Sequence, residues 1–167
     1  MWRESSVRKS IRLRGYDYSS AGAYFVTICV KNGHEMLGRV VGHDDPGVPF
    51  VQLSEYGKIA EKYIKNIEPH YANAGVIVDK YVVMPNHIHL LIVVHSGGTP
   101  RSSCPTSALL PNISAAFKKM TNKEFGFSMW QDRYHDHVIR NKDSYQRIWQ
   151  YIDENPARWA DDCYYTK

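Results

Sequence analysis

The sequence predicts an α+β domain: an antiparallel sheet with helices packed on one face. Three observations carry that expectation. Short runs rich in β-branched and aromatic residues are interspersed with stretches whose apolar residues recur at helical spacing. Two long strand-like segments, residues 76–84 and 87–94, are separated only by Pro85 and Asn86 and read as an antiparallel hairpin. The chain has 167 residues and no internal repeat, which suits one domain, since domains cluster at about 100–150 residues.

Taken in order, residues 23–30 (AYFVTICV) read as a strand, and Asn32 and Gly33 follow as a turn. Residues 38–41 and 50–53 read as short strands around a turn at 42–47. Ser54 suits the N-cap of a helix in which Ile59, Tyr63, Ile64 and Ile67 share a face, and Pro69 is expected to end it. The hairpin strands come next, then a flexible loop at 96–105. Leu109, Leu110, Ile113, Phe117 and Met120 predict a helix over 107–124, and Tyr145, Ile148, Trp149 and Ile152 another over 143–153. Nothing in the sequence fixes residues 130–137 as a strand. The predicted order is therefore β, β, β, α, β, β, α, α.

Composition excludes several classes. A hydrophobic share of 43% rules out wholesale disorder. The longest apolar run, Leu90 to Val94, is far short of the about 20 residues a membrane helix needs. The first residues lack an apolar signal segment. Cys29, Cys104 and Cys163 are too scattered for a disulfide framework or a CxxC metal site, so a cytoplasmic location and no membrane partner are expected. Motifs of nucleotide-binding loops, serine hydrolases and zinc proteases are absent.

A net charge of +4 permits a polyanion partner without selecting one. Its distribution says more. A basic arm within residues 1–20 holds Arg3, Arg8, Lys9, Arg12 and Arg14. A second group is Lys118, Lys119 and Lys123, and a third is Arg133, Arg140, Lys142, Arg147 and Arg158. Each group alone could be a solvated surface; three in one small domain favour a polyanion.

The sharpest chemical feature is His87-Ile88-His89. Residues two apart on a strand share a face, so the two imidazoles aim at one point while Ile88 faces the other way. Imidazole is a common ligand for divalent metals; the alternative is two polar residues on a half-solvated strand face. On the helix at 143–153, Tyr151 lies about 110° from the centre of the apolar stripe and is not needed in the core. Asn155, four residues on, shares its face if the helix persists. A phenol can be a nucleophile and an amide oxygen a metal ligand. Against this, Pro156 disfavours helical conformation at Asn155, which could instead cap a helix over 156–162, and Tyr151 could be a packing aromatic. A second pair, His135 and His137, could be another metal pair or half of a four-histidine site, but it lies among charged residues and better suits surface or substrate contact, with His137 a candidate for phosphate binding or proton transfer.

Taken together, residues 81–89 (YVVMPNHIH), Trp130 and Gln131 with residues 134–141 (YHDHVIRN), and residues 151–156 (YIDENP) resemble the three signatures of REP-associated tyrosine transposases, single-strand transposases of the HUH class with one catalytic tyrosine. Residues 11–18 (IRLRGYDY) followed by 24–27 (YFVT) are similar too, so the resemblance spans roughly 11 to 160. It implies a ferredoxin-like fold in a single domain over 1–167, a Mg²⁺ or Mn²⁺ site with His87, His89 and Asn155 as ligands, and Tyr151 as nucleophile. It implies single-stranded or hairpin DNA as partner, for which Arg8, Arg12, Arg14, Lys118, Lys119, Arg133, His137 and Arg140 are the expected contacts. Related insertion-sequence enzymes are obligate dimers that swap the tyrosine helix and REP-associated relatives can act as monomers, so the resemblance allows a homodimer. The expected activity is nicking and strand transfer through a 5′-phosphotyrosine. A catalytically silent, domesticated hairpin-binding protein and an unrelated small metallohydrolase are the alternatives.

Overall fold

The computed structural model describes residues 21–42, 48–96 and 109–165. The basic arm with Arg8, Arg12 and Arg14, and all but Ser96 of the expected loop at 96–105, lie outside the described residues. Four strands form the main sheet: β1 (Gly22–Cys29), β4 (Val76–Val83), β5 (His87–Val94) and β6 (His135–Ile139), in the spatial order β4-β5-β1-β6 with every neighbouring pair antiparallel. With the helices between them this is the βαββαβ connectivity of a ferredoxin-like fold. A separate two-stranded ribbon, β2 (Gly38–Val41) and β3 (Phe50–Leu53), is inserted after β1.

The core side of the sheet is set by alternation. Tyr24, Val26 and Ile28 of β1 and Ile88, Leu90 and Ile92 of β5 point to one face and are almost fully buried. Against them pack α1 (Glu55–Lys65), α2 (Ile67–Tyr71) and α3 (Leu109–Phe125) through Ala60, Ile64, Ile67, Leu110, Ile113 and Phe117. Ser54 caps α1 as expected, its Oγ accepting from the Gly57 N–H at 3.1 Å. Gly57 is required there: a Cβ would stand 2.0 Å from the Leu37 carbonyl oxygen. Pro69 does not end the first helix. That helix stops at Asn66, and Pro69 lies inside the short α2, where an N–H near a helix start has no intrahelical partner to lose.

The expected one-face arrangement holds for α1 to α3 and is departed from by the fourth helix, α4 (Lys142–Glu154). Its Ile152, Tyr145 and Ile148 pack on Leu91, Ile139, Phe25, Ala23 and Val82, which occupy the opposite face. Polar ties hold the same helix to β4: Tyr145 donates to Asp79, and Lys80 pairs with Asp153 while covering the Trp149 ring. The β4–β5 register shifts between Val78 and Lys80, beside the Asp79 and Lys80 that make these contacts. Helical spacing assigns Trp149 to the core stripe; in the fold it is 39% exposed and serves instead as the surface on which Lys80 lies.

The clearest difference from the sequence reading is β6. Residues 135–139 pair with β1 along five positions, from Thr27 opposite His135 to Ala23 opposite Ile139. Its polar residues mask the alternation, and pairing with β1 makes the strand.

Ile152 is the most buried apolar anchor of α4. Ile152→Ala is expected to cost about 2–4 kcal/mol of stability, read by urea denaturation. Amide hydrogen exchange should accelerate in α4 more than in α1 or α3.

Candidate functional site

On the face covered by α4, the register of β5 and β1 places Thr27 opposite His89 and Cys29 opposite His87. His87 and His89 are 0% and 1% exposed, and their Nε2 atoms converge to 3.0 Å. Two ligands at right angles around an octahedral ion with bonds of about 2.1 Å stand about 3.0 Å apart, so the pair has the spacing of adjacent metal ligands. Each ring is held from behind. His87 Nδ1 lies 2.8 Å from Asn86 Oδ1, and His89 Nδ1 lies 2.8 Å from Thr27 Oγ1.

Burial lowers the His87 pKa to about 4, although the charge of Asp162 and the Asn155 amide oppose that shift. His89 is lowered well below the usual histidine value, again mainly by burial and then by His87. Both rings are therefore neutral at pH 7, the form a metal ligand needs. Cys29 is not a competing thiolate, because burial raises its pKa to about 11.

α4 brings Tyr151 to this point within the same chain. Its hydroxyl stands 3.4 Å from His89 Nε2 and donates to Asp162 Oδ2 at 3.1 Å. The ring lies edge-on to Phe25 and is 37% exposed, so one side remains open to a ligand. Burial, then the Asp162 charge, raise the ionisation of the phenol well above its ordinary value.

Asn155 resolves the conflict with Pro156. Its φ and ψ of −56° and −42° are helical, and the chain continues into a 3-10 turn, Asn155–Asp161, in which Pro156 occupies an early position. The preference against helix before proline is overridden here, so Asn155 is not an N-cap. Its Nδ2 donates to Asp162 Oδ2 at 2.8 Å, which turns Oδ1 the other way. That oxygen is buried without a hydrogen-bond partner. A buried acceptor left so costs about 1–3 kcal/mol and calls for an occupant such as an ion. Neutral imidazoles at ligand spacing and an orphaned amide oxygen fit a divalent cation.

Sequence reasoning missed Asp162. It joins His87 and His89 in a group whose ligand atoms lie within 4.8 Å of one another and could hold a metal. Eleven residues beyond Tyr151, across a 3-10 turn, it carries no periodicity signal. Tyr164 was also missed: its ring lies 4.5 Å from that of His87, and its carbonyl accepts from Asn86 Nδ2.

The expected DNA contacts separate. His137 is exposed and pairs with Phe25, so it shares the face of the histidine pair. Arg133 and Arg140 are exposed just before and after β6. Lys118 and Lys119 belong to α3, on the other side of the sheet. Lys118 is engaged with the Gln131 and Asp132 carbonyls and lies over Tyr134. Among the described residues, no helix is long and apolar enough to cross a membrane.

This is the fold of a REP-associated tyrosine transposase. A solved structure of such a protein bound to a REP hairpin aligns over 89% of this chain and 73% of its own, with a TM-score of 0.62 and 21% identity. No family model matches the sequence. The chain belongs to one family with a Haemophilus influenzae protein, described there only as uncharacterized, to which it is 32% identical over 95% of this chain and 93% of that one.

The histidine pair sets a pH dependence. An unfolded histidine takes up a proton near pH 6.5, whereas His87 resists until about 4 and His89 also titrates well below the ordinary histidine value. The unfolded state thus binds more protons in that window, and metal-free stability should fall as pH drops from 6.5 toward 4. The slope is about 1.4 kcal/mol per pH unit for each withheld proton. Urea midpoints across pH should show it, and His87→Gln should flatten it.

Proposed function

We propose that the chain, folded as a single nuclease-like domain, is a metal-dependent nickase and strand transferase acting on single-stranded, hairpin-containing DNA. The observation that carries this reading is the meeting, within one chain, of the Tyr151 phenol, two neutral imidazoles and an orphaned amide oxygen. The likeness to a transposase bound to a REP hairpin supports hairpin DNA as the substrate class.

In this reading Tyr151 Oη attacks the scissile phosphorus as the bond to the 3′ oxygen breaks, and the proton the phenol gives up is balanced by the one the departing oxygen takes up, leaving a 5′-phosphotyrosine and a free 3′-OH. Asp162 Oδ2 receives the hydrogen bond of the phenol and orients it. Burial beside that carboxylate keeps the phenol protonated at rest, so attack needs positive charge nearby. His87 Nε2, His89 Nε2 and Asn155 Oδ1 would hold Mg²⁺ or Mn²⁺, with Asp162 an additional carboxylate at hand. When bound, that ion supplies charge against a non-bridging phosphate oxygen. Phe25, half-buried beside Tyr151, and His137 across the strand pair continue the face along which a single strand would run. Arg133 and Arg140 would meet its phosphates. The 3.4 Å between the Tyr151 hydroxyl and His89 Nε2 of the same chain supports a site built in cis.

A second reading, hairpin binding without cleavage, is favoured by the near-complete burial of both histidines and by the hydrogen bond that engages the Tyr151 hydroxyl. One assay separates the two. An end-labelled hairpin oligonucleotide with Mn²⁺ should give a covalent protein–DNA adduct that EDTA prevents and Tyr151→Phe abolishes. Binding that survives EDTA and His87→Ala, with no adduct, would establish the silent alternative. Turnover with no covalent species would point to a metallohydrolase.

A further inference from the structure

Asn86 and Thr27 stand behind the two imidazoles, and the hydrogen bonds around them determine which ring nitrogens carry protons. Asn86 Nδ2 donates to two carbonyls, Gly33 O at 3.1 Å and Tyr164 O at 2.7 Å. Carbonyls only accept, so the amide N–H groups are committed there and Oδ1 is the atom that faces His87 Nδ1 at 2.8 Å. An amide oxygen also only accepts. His87 therefore carries its proton on Nδ1 and presents an Nε2 lone pair to the point of convergence.

The second ring follows from the first. His89 Nε2 is 3.0 Å from His87 Nε2, and two lone pairs at that distance repel. In the metal-free chain His89 must carry its proton on Nε2 and donate it to His87. Its Nδ1 is then an acceptor, and the Thr27 hydroxyl, 2.8 Å away, donates to it. The Tyr151 oxygen, 3.4 Å from the same Nε2, lies on the side of that N–H. A cation bound by both rings needs both Nε2 lone pairs, so the two histidines enter the site in unequal states.

We infer that Asn86 and Thr27 are positioning residues for the histidine pair: Asn86 presets His87 as a ligand, and the Thr27 hydroxyl is the swivel that lets His89 become one. The change at His89 is a tautomeric exchange that conserves protons. Nε2 loses one, Nδ1 gains one, and the Thr27 hydroxyl turns from donor to acceptor. The inference rests on the metal reading above for its second half; the tautomers of the metal-free chain stand independently of it. Asn86 additionally ties His87 to the turn at Gly33 and to the C-terminal segment at Tyr164, so both hold the His87 ring in place.

The test uses the full chain labelled with ¹⁵N-histidine and freed of metal. Long-range ¹H–¹⁵N spectra near pH 7.5 should show His87 protonated on Nδ1 and His89 on Nε2; a His87 ring protonated on Nε2 would overturn the assignment. On addition of Mg²⁺, His89 should pass to the Nδ1–H form while His87 keeps its own. Mn²⁺ affinity, read by calorimetry, should fall roughly 10–100-fold in Thr27→Val, as for loss of a partner behind a metal-bound histidine. It should return near wild type in Thr27→Ser. Equal affinities in the valine and wild-type chains would make Thr27 a packing residue only and sink the swivel. A wild-type chain that shows both tautomers and binds neither ion would overturn the metal reading and leave the metal-free assignment intact.

Discussion

β1 and β5 pair in a register that sets Thr27 across from His89 and Cys29 across from His87, and the site depends on that register more than on any single bond. Strand side chains alternate, so a slip of one residue would send His87 and His89 into the core beneath α1 and α3 and turn Ile88 and Leu90 outward. The penalty for such a slip is large, since Ile88, Leu90 and Ile92 are all essentially fully buried. The apolar residues of β5 thus fix where its histidines point. The same register places Phe25 beside the His89 ring, at 4.9 Å between centroids, and lines β6 up so that His137 shares the face.

The parts of this arrangement legible in the sequence are those with a period. Alternation and β-branched composition mark β1, β4 and β5 to within a residue at each end and put the two histidines on one face. Helical spacing marks α1, α3 and α4 and sets Tyr151 off the apolar stripe. Features that depend on another part of the chain have no such signal. β6 reads as a polar segment until β1 supplies its hydrogen bonds. Trp149 has the helical position of a core residue, yet what it meets is Lys80, from a strand far away in the sequence. Asp162 reaches the site only because a 3-10 turn carries the chain back under α4.

Asn155 shows how local preference and tertiary structure can disagree. The proline that follows it argues for extended backbone, and an asparagine before proline is a reasonable helix cap. In the fold Asn155 is helical and 1% exposed, with its amide nitrogen engaged by Asp162. Asp162 thereby couples two things that sequence distance separates. It fixes which way the Asn155 oxygen points, and it receives the hydroxyl of Tyr151.

That coupling gives the electrostatics a direction. A carboxylate beside a half-buried phenol makes the phenolate costly, and burial of both imidazoles makes their protonated forms costly. The described site thus rests with a protonated phenol, two neutral rings and the negative charge of Asp162, and a divalent cation is the charge that would relieve it. Buried ligands with one orphaned oxygen raise affinity for such an ion at the expense of stability without it. The fold sustains that cost because the strands that carry His87, His89 and Thr27 are anchored on their other face by the main apolar core.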